Sequence, residues 1–398
     1  MGFTSLTTGD GYNLSLALGG LTKGVTIEEN VNAYATFANG GKFIDAYLIE
    51  KIVDKNGNVV YEHEPKPIEV FSPQTAYLTI DMMRDVIRSG TASFLNGKLK
   101  FSADWAGKTG TSQNTKDAWF VATNPNVTFG TWMGYDTPKP LEKSYKGLSY
   151  SQRNLLLWAQ LMNGAYDIRP ELIAPKERFH MPGGIVQRSY CAISGLLPSE
   201  TCKRFGLIES DLFNTAFVPK TEDTYLISGA FVELNGERYA SLPTTPKEFT
   251  KEGVMIDASL LEQWGIQHIK DLSKLLPQND KWKHVFVAKT LQENGKKPDP
   301  LAAQQKGTAL VWNEHHEQDV IGYRVYYAAS ETATFQVIAT IRKGETKNIP
   351  LKQGIYYVTA VDIAGLESNP SNIIRMLPAI QPEQPTNEQP AEEQPSTN

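Results

Sequence analysis

Three extended segments between residues 105 and 136 constrain the fold of this chain more than any other feature. The segments 105–111 and 118–122 are separated by a short polar turn, and VTFGTWMGYD over 127–136 supplies a third strand. Strands joined by such short connections pair antiparallel. Predicted helices lie before and after them. The sequence therefore predicts an α+β fold in which helices flank an antiparallel sheet.

The helices around this sheet are recognised by their ends. Residues 26–29, Thr-Ile-Glu-Glu, form a capping box that begins the first helix. Ser72 precedes a proline at the first helical position of the second helix. The third helix is predicted over about 151–163, with Gly164 ending it.

Residues 107–111, Gly-Lys-Thr-Gly-Thr, contain two overlapping signatures that imply different chemistry. Gly-Lys-Thr could end a phosphate-binding P-loop, which requires a glycine five residues earlier and a helix immediately afterwards. Position 102 is Ser102, and the strand-forming Trp-Phe-Val at 119–121 follows the triplet after a polar turn. The sequence therefore disfavours a P-loop.

The arrangement around Lys-Thr-Gly resembles the transpeptidase module of penicillin-binding proteins. In that family Gly-Lys-Thr-Gly-Thr is followed by Asp-Ala-Trp-Phe and by a Trp-x-Gly-Tyr-Asp strand end, which residues 107–111, 117–120 and 132–136 match. YNLSLALGG, AYATFANGG and SGTA upstream resemble the same module in the same order. CAISGLLPSETC resembles the segment that follows it in bifunctional, class A members of Gram-positive bacteria. The resemblance implies a partial penicillin-binding/serine β-lactamase-like transpeptidase fold over residues 1–176.

The same resemblance implies that Lys108, Thr109, Gly110 and Thr111 bind substrate. A peptide ending in D-Ala-D-Ala would lie along this strand, where backbone pairing fixes its register. Lys108 would attract the terminal carboxylate, and Thr109 would point away from the cleft to support the strand. Gly110 would let the acyl group approach the backbone closely. Thr111 would offer its hydroxyl to the carboxylate and its N–H to the oxyanion.

The family also requires Ser-x-x-Lys, whose serine is the nucleophile, and Ser-x-Asn. The sequence contains no Ser-x-x-Lys, and we interpret Ser-x-Asn at 112–114 and 396–398 as coincidence. In the family both motifs, a glycosyltransferase domain and a membrane anchor precede YNLSLALGG. We therefore expect the C-terminal portion of a serine-type transpeptidase, with no catalytic residue of its own and no cofactor. The alternative is a non-catalytic protein that binds the cell surface or wall, with the Lys-Thr-Gly strand as a relic.

Charge and hydropathy limit the partners. The chain has 39 basic and 44 acidic residues without a basic stripe, so a nucleic-acid partner is not expected. It has neither an apolar run of 18 residues nor an export leader, so any membrane contact would come through a missing N-terminal anchor. In the intact parent, the resemblance implies peptidoglycan stem peptides and β-lactams as partners at the extracytoplasmic face of the membrane.

Cys191 and Cys202 are the only cysteines. An even pair in a loop-like stretch could form a disulfide in an oxidising compartment, and two free buried thiols fit the pattern equally well. No histidine lies within metal-ligand spacing of either cysteine, so no metal site is expected.

The rest of the chain is predicted in three parts. Residues 177–304 form a linker or accessory region, with a hairpin around Asn235-Gly236 and a helical pair in DASLLEQWGIQHIKDLSKLL. Strands recur over 305–377 and resemble a fibronectin type III-like β-sandwich that should fold independently, with His315 and His316 in a solvated loop. The Pro/Gln/Glu-rich residues 378–398 are expected to be a disordered tail.

Overall fold

The computed structural model describes residues 1–266, 268, 285–287 and 289–376. The chain divides into two compact units. The first unit comprises Met1–Arg188 with Ser210–Val218, and the second comprises Ser189–Glu209 with the chain from Pro219 onward. The first unit combines helices with mainly antiparallel sheets, as the α+β prediction for that part of the chain required. The described part of the second unit combines two short helices with mainly antiparallel sheets.

The elements that lie in the first unit, or begin or end there, occur in chain order. The helices are α1 (Ile27–Ala38), α2 (Pro73–Arg88), α3 (Tyr150–Ile168) and α4 (Pro170–Ile173). The strands are β1 (Lys42–Phe43), β2 (Lys51–Val53), β3 (Val59–Glu62), β4 (Ile68–Glu69), β5 (Ala106–Thr111), β6 (Ala118–Thr123), β7 (Thr128–Met133), β8 (Ser144–Tyr145), β9 (Leu148–Ser149), β10 (Ile185–Cys191) and β11 (Ile208–Asn214).

The predicted three-stranded sheet is confirmed as β5-β6-β7, antiparallel throughout. Alternate residues of its central strand face opposite sides. On one side the Phe120 ring lies 5.2 Å from the Trp158 ring of α3. On the other side α1 packs so closely that a Cβ on Gly130 would lie 2.5 Å from Val31 Cγ2. The sheet is therefore sandwiched between α1 and α3, with α2 packed against β5.

The helix starts follow the predicted caps. Thr26 Oγ1 accepts a hydrogen bond from Glu29 N (3.1 Å), and Ser72 Oγ accepts one from Thr75 N (3.2 Å). The Glu29 carboxylate also accepts from the Ser5 hydroxyl (2.6 Å) and from Thr4 N (2.7 Å). These hydrogen bonds, with the Ser5 hydroxyl the largest cause, hold the pKa of Glu29 well below its usual range. They also fasten the amino-terminal segment to α1.

The predicted end of the third helix at Gly164 is wrong, because α3 continues to Ile168. A glycine inside a helix costs about 1 kcal/mol relative to alanine. Packing of the following turn offsets that cost, since the Tyr166 ring stacks on Phe101 at 4.6 Å and Ala165 packs against the same core. Gly164 is exposed, so its missing side chain leaves no cavity.

The remaining elements lie in the second unit. The helices are α5 (Glu200–Arg204) and α6 (Ala258–Gln263). The strands are β12 (Leu226–Leu234), β13 (Glu237–Ala240), β14 (Lys251–Ile256), β15 (Val285–Val287), β16 (Ala303–Lys306), β17 (Ala309–Trp312), β18 (Val320–Ala328), β19 (Gln336–Arg342), β20 (Ile349–Pro350), β21 (Gly354–Asp362) and β22 (Ile374–Met376). The predicted hairpin around Asn235 is confirmed as β12–β13.

The strands predicted after residue 305 form two antiparallel sheets, β16-β17-β20 and β19-β18-β21-β22. Buried side chains of both sheets share one core, in which the Trp312 and Tyr323 rings meet edge to face at 5.6 Å. A second core joins Ile321 and Val361 of these strands to Phe249 of the preceding region. The assignment to the fibronectin type III family and the boundaries at 176, 304 and 377 stay predictions.

One prediction in this unit is wrong. His315 is buried rather than solvated, because its backbone N–H donates to Tyr323 Oη (2.8 Å) and its Nε2 lies 2.9 Å from Asp299 O. His316 remains largely exposed. The second half of the predicted helical pair and the predicted tail lie outside the described residues.

Candidate functional site

The candidate site is β5, which carries the Gly-Lys-Thr-Gly-Thr sequence. It forms one edge of its sheet, because among the described strands it pairs only with β6. The register places Lys108 opposite Val121 and Gly110 opposite Trp119. An edge strand presents backbone N–H and C=O groups that a further extended segment can pair with.

Lys108 is exposed on this strand. Its Nζ donates a hydrogen bond to Thr109 O at 2.6 Å, and within the described parts of the chain the ammonium has no carboxylate partner. The positive charge is therefore available to an anionic group that approaches the edge of β5.

Thr109 has a different environment from Lys108, because neighbouring strand residues face opposite sides of a sheet. Its Oγ1 lies 2.6 Å from Thr91 Oγ1, a hydrogen bond in which either hydroxyl can donate. Thr91 belongs to the SGTA segment that follows α2. The contact fastens β5 to that segment. Thr91 was missed by sequence reasoning about the site because it lies 18 residues away.

The two glycines of β5 lie at positions where a side chain would be in tight contact with its neighbours. A Cβ on Gly107 would lie 3.0 Å from both Ala122 Cβ and Phe120 Cζ. A Cβ on Gly110 would lie 3.3 Å from Trp119 Cβ. Thr111, at the end of the strand, is exposed. The four predicted residues thus occupy consecutive positions on one strand, and Lys108 and Thr111 are the two with freely accessible side chains.

The β5–β6 turn is organised by Asp117, whose role was not predicted. Its Oδ2 accepts from Ser112 Oγ (2.6 Å), and its Oδ1 accepts from Trp132 Nε1 (2.9 Å). Asn114 and Thr115 within the turn have positive φ angles of 58° and 56°. The Ser112 hydroxyl of the first Ser-x-Asn match is therefore engaged within its own turn.

The P-loop interpretation is wrong on structural grounds as well. Gly107, Lys108 and Thr109 all lie inside β5, and the helical turn that follows spans only Gln113–Thr115. A P-loop needs backbone N–H groups that curl around phosphate and a long helix directly after the lysine. Neither feature is present at this site.

Comparisons with known proteins show what the part of the chain around this strand resembles. Residues 7–155 match the family model described as penicillin binding protein transpeptidase domain. Penicillin-binding protein 1A of Clostridium novyi (strain NT) is 30% identical over 245 residues, which cover 61% of this chain and 27% of that protein. Penicillin-binding protein 4 of Bacillus subtilis (strain 168) is 36% identical over 165 residues, covering 41% and 25%.

Among solved structures, penicillin-binding protein 1A from Haemophilus influenzae is 23% identical, with a TM-score of 0.43, and the alignment covers 52% of this chain and 34% of that one. The imipenem acyl-enzyme complex of penicillin-binding protein A from M. tuberculosis is 21% identical, with a TM-score of 0.26, covering 33% and 30%.

The predicted resemblance is therefore confirmed for residues 7–155, which are similar in sequence to the transpeptidase domain of penicillin-binding proteins, including penicillin-binding protein 1A homologues. The chain spans about a quarter of the length of these curated relatives. Within the described residues, no helix has the length and apolar character needed to cross a bilayer.

Proposed function

We propose that the first unit supplies one wall of the cleft of a serine-type D-Ala-D-Ala transpeptidase that cross-links peptidoglycan. The observation that carries the proposal is the exposed Lys108, without a carboxylate partner among the described residues, on an edge strand inside the matched residues 7–155. An edge strand suits an extended peptide, because main-chain hydrogen bonds fix the register while side-chain positions select the ligand.

Each of the four residues has a distinct role in this proposal. Lys108 provides a positive charge for the carboxylate that ends a stem peptide, and Thr111 adds a hydroxyl and a backbone N–H at the same edge. Gly110 has no side chain to keep the reacting acyl group away from the backbone. Thr109 is a positioning residue, since its hydroxyl is engaged with that of Thr91.

We infer that this chain does not form an acyl-enzyme by itself. Its sequence contains no Ser-x-x-Lys, and a serine transpeptidase needs that serine as nucleophile and the lysine as its proton acceptor. The nucleophile would belong to a longer protein that includes this chain. Such a longer protein would act at the extracytoplasmic face of the membrane and would be acylated by β-lactams.

The finer assignment of the second unit is also a proposal. Two antiparallel sheets of three and four strands around one core suit a fibronectin type III-like sandwich over 305–377. We assign it no chemistry, because sandwich folds of this kind have many unrelated functions.

Covalent labelling with a fluorescent β-lactam tests the proposed function. The chain from Met1 to Asn398 should not label, and a version extended upstream through a Ser-x-x-Lys should label on that serine. In the extended protein Lys108→Ala should slow labelling by about 100-fold, the usual effect of removing one group that stabilises developing charge. Lys55→Ala is the matched control, since Lys55 is an exposed lysine at the tip of the β2–β3 hairpin.

Three outcomes would count against the proposal. Covalent labelling of the unextended chain would refute the inference that it lacks a nucleophile. An extended protein that folds but does not label would refute the transpeptidase assignment and favour the non-catalytic wall-binding alternative. Equal labelling rates for Lys108→Ala and Lys55→Ala would remove Lys108 from the site. Circular dichroism of each variant separates these outcomes from misfolding.

A further inference from the structure

A buried group of two thiols and a carboxylate in the second unit has no part in the proposed cleft. Cys191 ends β10 and Cys202 lies in α5, and neither is accessible to solvent. Asp223 is 4% exposed. The two sulfur atoms and one carboxylate oxygen of Asp223 all lie within 4.8 Å of one another. The sequence indicated the cysteine pair, but nothing in it placed Asp223 beside them.

Backbone hydrogen bonds hold the two cysteines in place independently of their sulfur atoms. Cys191 N donates to Leu196 O (2.7 Å), and Gly195 N donates to Cys191 O (2.8 Å), which closes a tight loop. On the other side Leu207 N donates to Cys202 O (2.8 Å). The segment after α5 returns to the loop, because Ala192 N donates to Leu207 O (2.8 Å). The fold therefore brings the thiols together without a bond between them.

The carboxylate of Asp223 is satisfied mainly by donors other than the thiols. Its Oδ2 accepts from Leu226 N (3.2 Å) and Ser199 Oγ (3.3 Å), and Cys202 Sγ lies farther away at 3.6 Å. Loss of the Cys202 thiol proton would therefore leave Asp223 with protein donors. Burial raises the pKa of the Cys202 thiol to about 12, so in the folded protein it is neutral and a poor nucleophile.

We propose that Cys191 and Cys202 form a structural disulfide that closes the 12-residue segment 191–202. Two S–H bonds break and one S–S bond forms, while an oxidant of the glutathione-disulfide class takes up the two electrons and two protons and becomes two thiols. Because both thiols are buried in the folded protein, the exchange takes place before that part of the unit closes. The oxidising compartment that it needs inside the organism rests on the proposed function, whereas the chemistry in vitro does not.

A metal ion is the competing occupant of the same three side chains. A structural zinc site has four ligands, commonly thiolates and imidazoles. In this cluster the described residues offer two sulfur atoms and a carboxylate that already accepts other hydrogen bonds, with only the Ser199 hydroxyl (3.3 Å from Cys202 Sγ) as a fourth ligand. Two adjacent thiols with a backbone-held separation favour the covalent bond over this incomplete coordination set.

The experiment uses the whole chain, refolded from denaturant in a glutathione redox buffer without metal and then alkylated with maleimide under denaturing conditions. The expected product carries no maleimide and is about 2 Da lighter than the reduced chain, the mass of two hydrogens. Dithiothreitol should reduce it readily in urea but not in native buffer. Closing a loop of this length should lower the equilibrium constant for unfolding of the second unit by roughly 100-fold relative to the reduced chain.

Two variants keep the test decisive. The double variant Cys191→Ser/Cys202→Ser should have the same stability in oxidising and reducing buffer. Asp223→Asn should retain the loss of two hydrogens, since its side-chain oxygen can still accept from Leu226 N. Two maleimides on the refolded wild-type chain would overturn the proposal. So would thiols that are protected only by added zinc and released by a chelator. Neither result depends on β-lactam labelling, so it would leave the proposed function untouched.

Discussion

Each unit contains an arginine that holds two carboxylates, and the two clusters differ chiefly in burial. In the first unit Arg84 contacts Asp104 (2.5 Å) and Asp81 (2.9 Å), with side chains that are 7%, 10% and 25% exposed. In the second unit Arg324 contacts Glu248 and Glu367, both at 2.6 Å, with side chains that are 20%, 42% and 25% exposed. The distances are similar, so differences in solvation should decide how much each cluster contributes.

The Arg84 cluster has further partners besides its two ion pairs. Asp104 also accepts from Phe179 N (3.0 Å), and the Arg84 guanidinium lies 5.3 Å from the centre of the Tyr77 ring. Removing one member of a buried set leaves an uncompensated charge, whereas solvent-exposed pairs contribute little. The two clusters have the same number of ion pairs, but substitutions in them are expected to have very unequal effects on stability.

The largest effect is expected for Arg84→Ala. It should lower the free energy of unfolding of the first unit by about 4 kcal/mol, because Asp104 would remain buried without its cation. Urea denaturation monitored by tryptophan fluorescence measures the change. Arg88→Ala is the matched control, since it removes an exposed i,i+3 pair with Asp85 from the same helix. Equal losses of unfolding free energy for the two variants would contradict the expected difference between buried and exposed ion pairs.

Phe249→Ala should cost the second unit about 3 kcal/mol, because this 1% exposed ring packs against Ile321, Val361 and Ile363 in a shared core. Denaturation of the whole chain measures the effect, with the half-exposed Val337→Ala as control. A loss no larger than the control's would indicate that the sandwich folds without the preceding region, as the sequence predicted. A loss of about 3 kcal/mol would mean that Phe249 contributes as much to stability as a residue of the sandwich core.

The stability of the first unit should depend on pH through the same arginine cluster. Burial alone would raise the pKa of Asp104, but the hydrogen bonds and charge of Arg84 hold the pKa below its usual value. The stabilisation is present above the pKa of the unfolded carboxyl and is lost as pH falls through the folded value. Wild type should therefore lose more stability than Asp104→Asn between about pH 5 and pH 3. Parallel pH curves would contradict this assignment.

The smallest effect is expected for Glu248→Gln, at about 0.5 kcal/mol, because Glu248 is 42% exposed and its attraction to Arg324 is screened by solvent. The loss should shrink further when salt is raised to about 1 M. A loss above about 2 kcal/mol would mean that the Arg324 cluster behaves as a buried one, and the contrast between the units would fail.

The parts of the fold that the sequence predicted are those determined within a few residues. Thr26 and Ser72 begin their helices through hydrogen bonds to residues three positions away, so a local pattern contains the whole signal. The predicted helix end at Gly164 was wrong because the local preference of glycine was outweighed by the packing of Tyr166 on Phe101, 65 residues distant in sequence. The predicted exposure of His315 was wrong for the same reason, since its contacts with Tyr323 and Asp299 bury it.

The candidate site was predictable only in part. The strand was recognisable because four consecutive residues and the spacing of the following strands form one pattern. The partners that position it, Thr91 and Asp117, are ordinary polar residues, and only folding brings Thr91 to Thr109. Asp223 approaches the cysteines across at least 21 residues of chain, and no spacing rule indicates such a contact.

Gly322 limits how the sandwich of the second unit could be exchanged between proteins. A Cβ at this position would lie 2.4 Å from Phe249 Cε1 and 2.5 Å from Ile341 O, so any side chain would collide with the ring of a residue outside the sandwich and with its own neighbouring strand. A sandwich transplanted from another protein would need a glycine at this position. A chimera with any other residue there would lose the packing of this strand against Phe249. A chimera would therefore have to take Gly322 and Phe249 from the same parent protein.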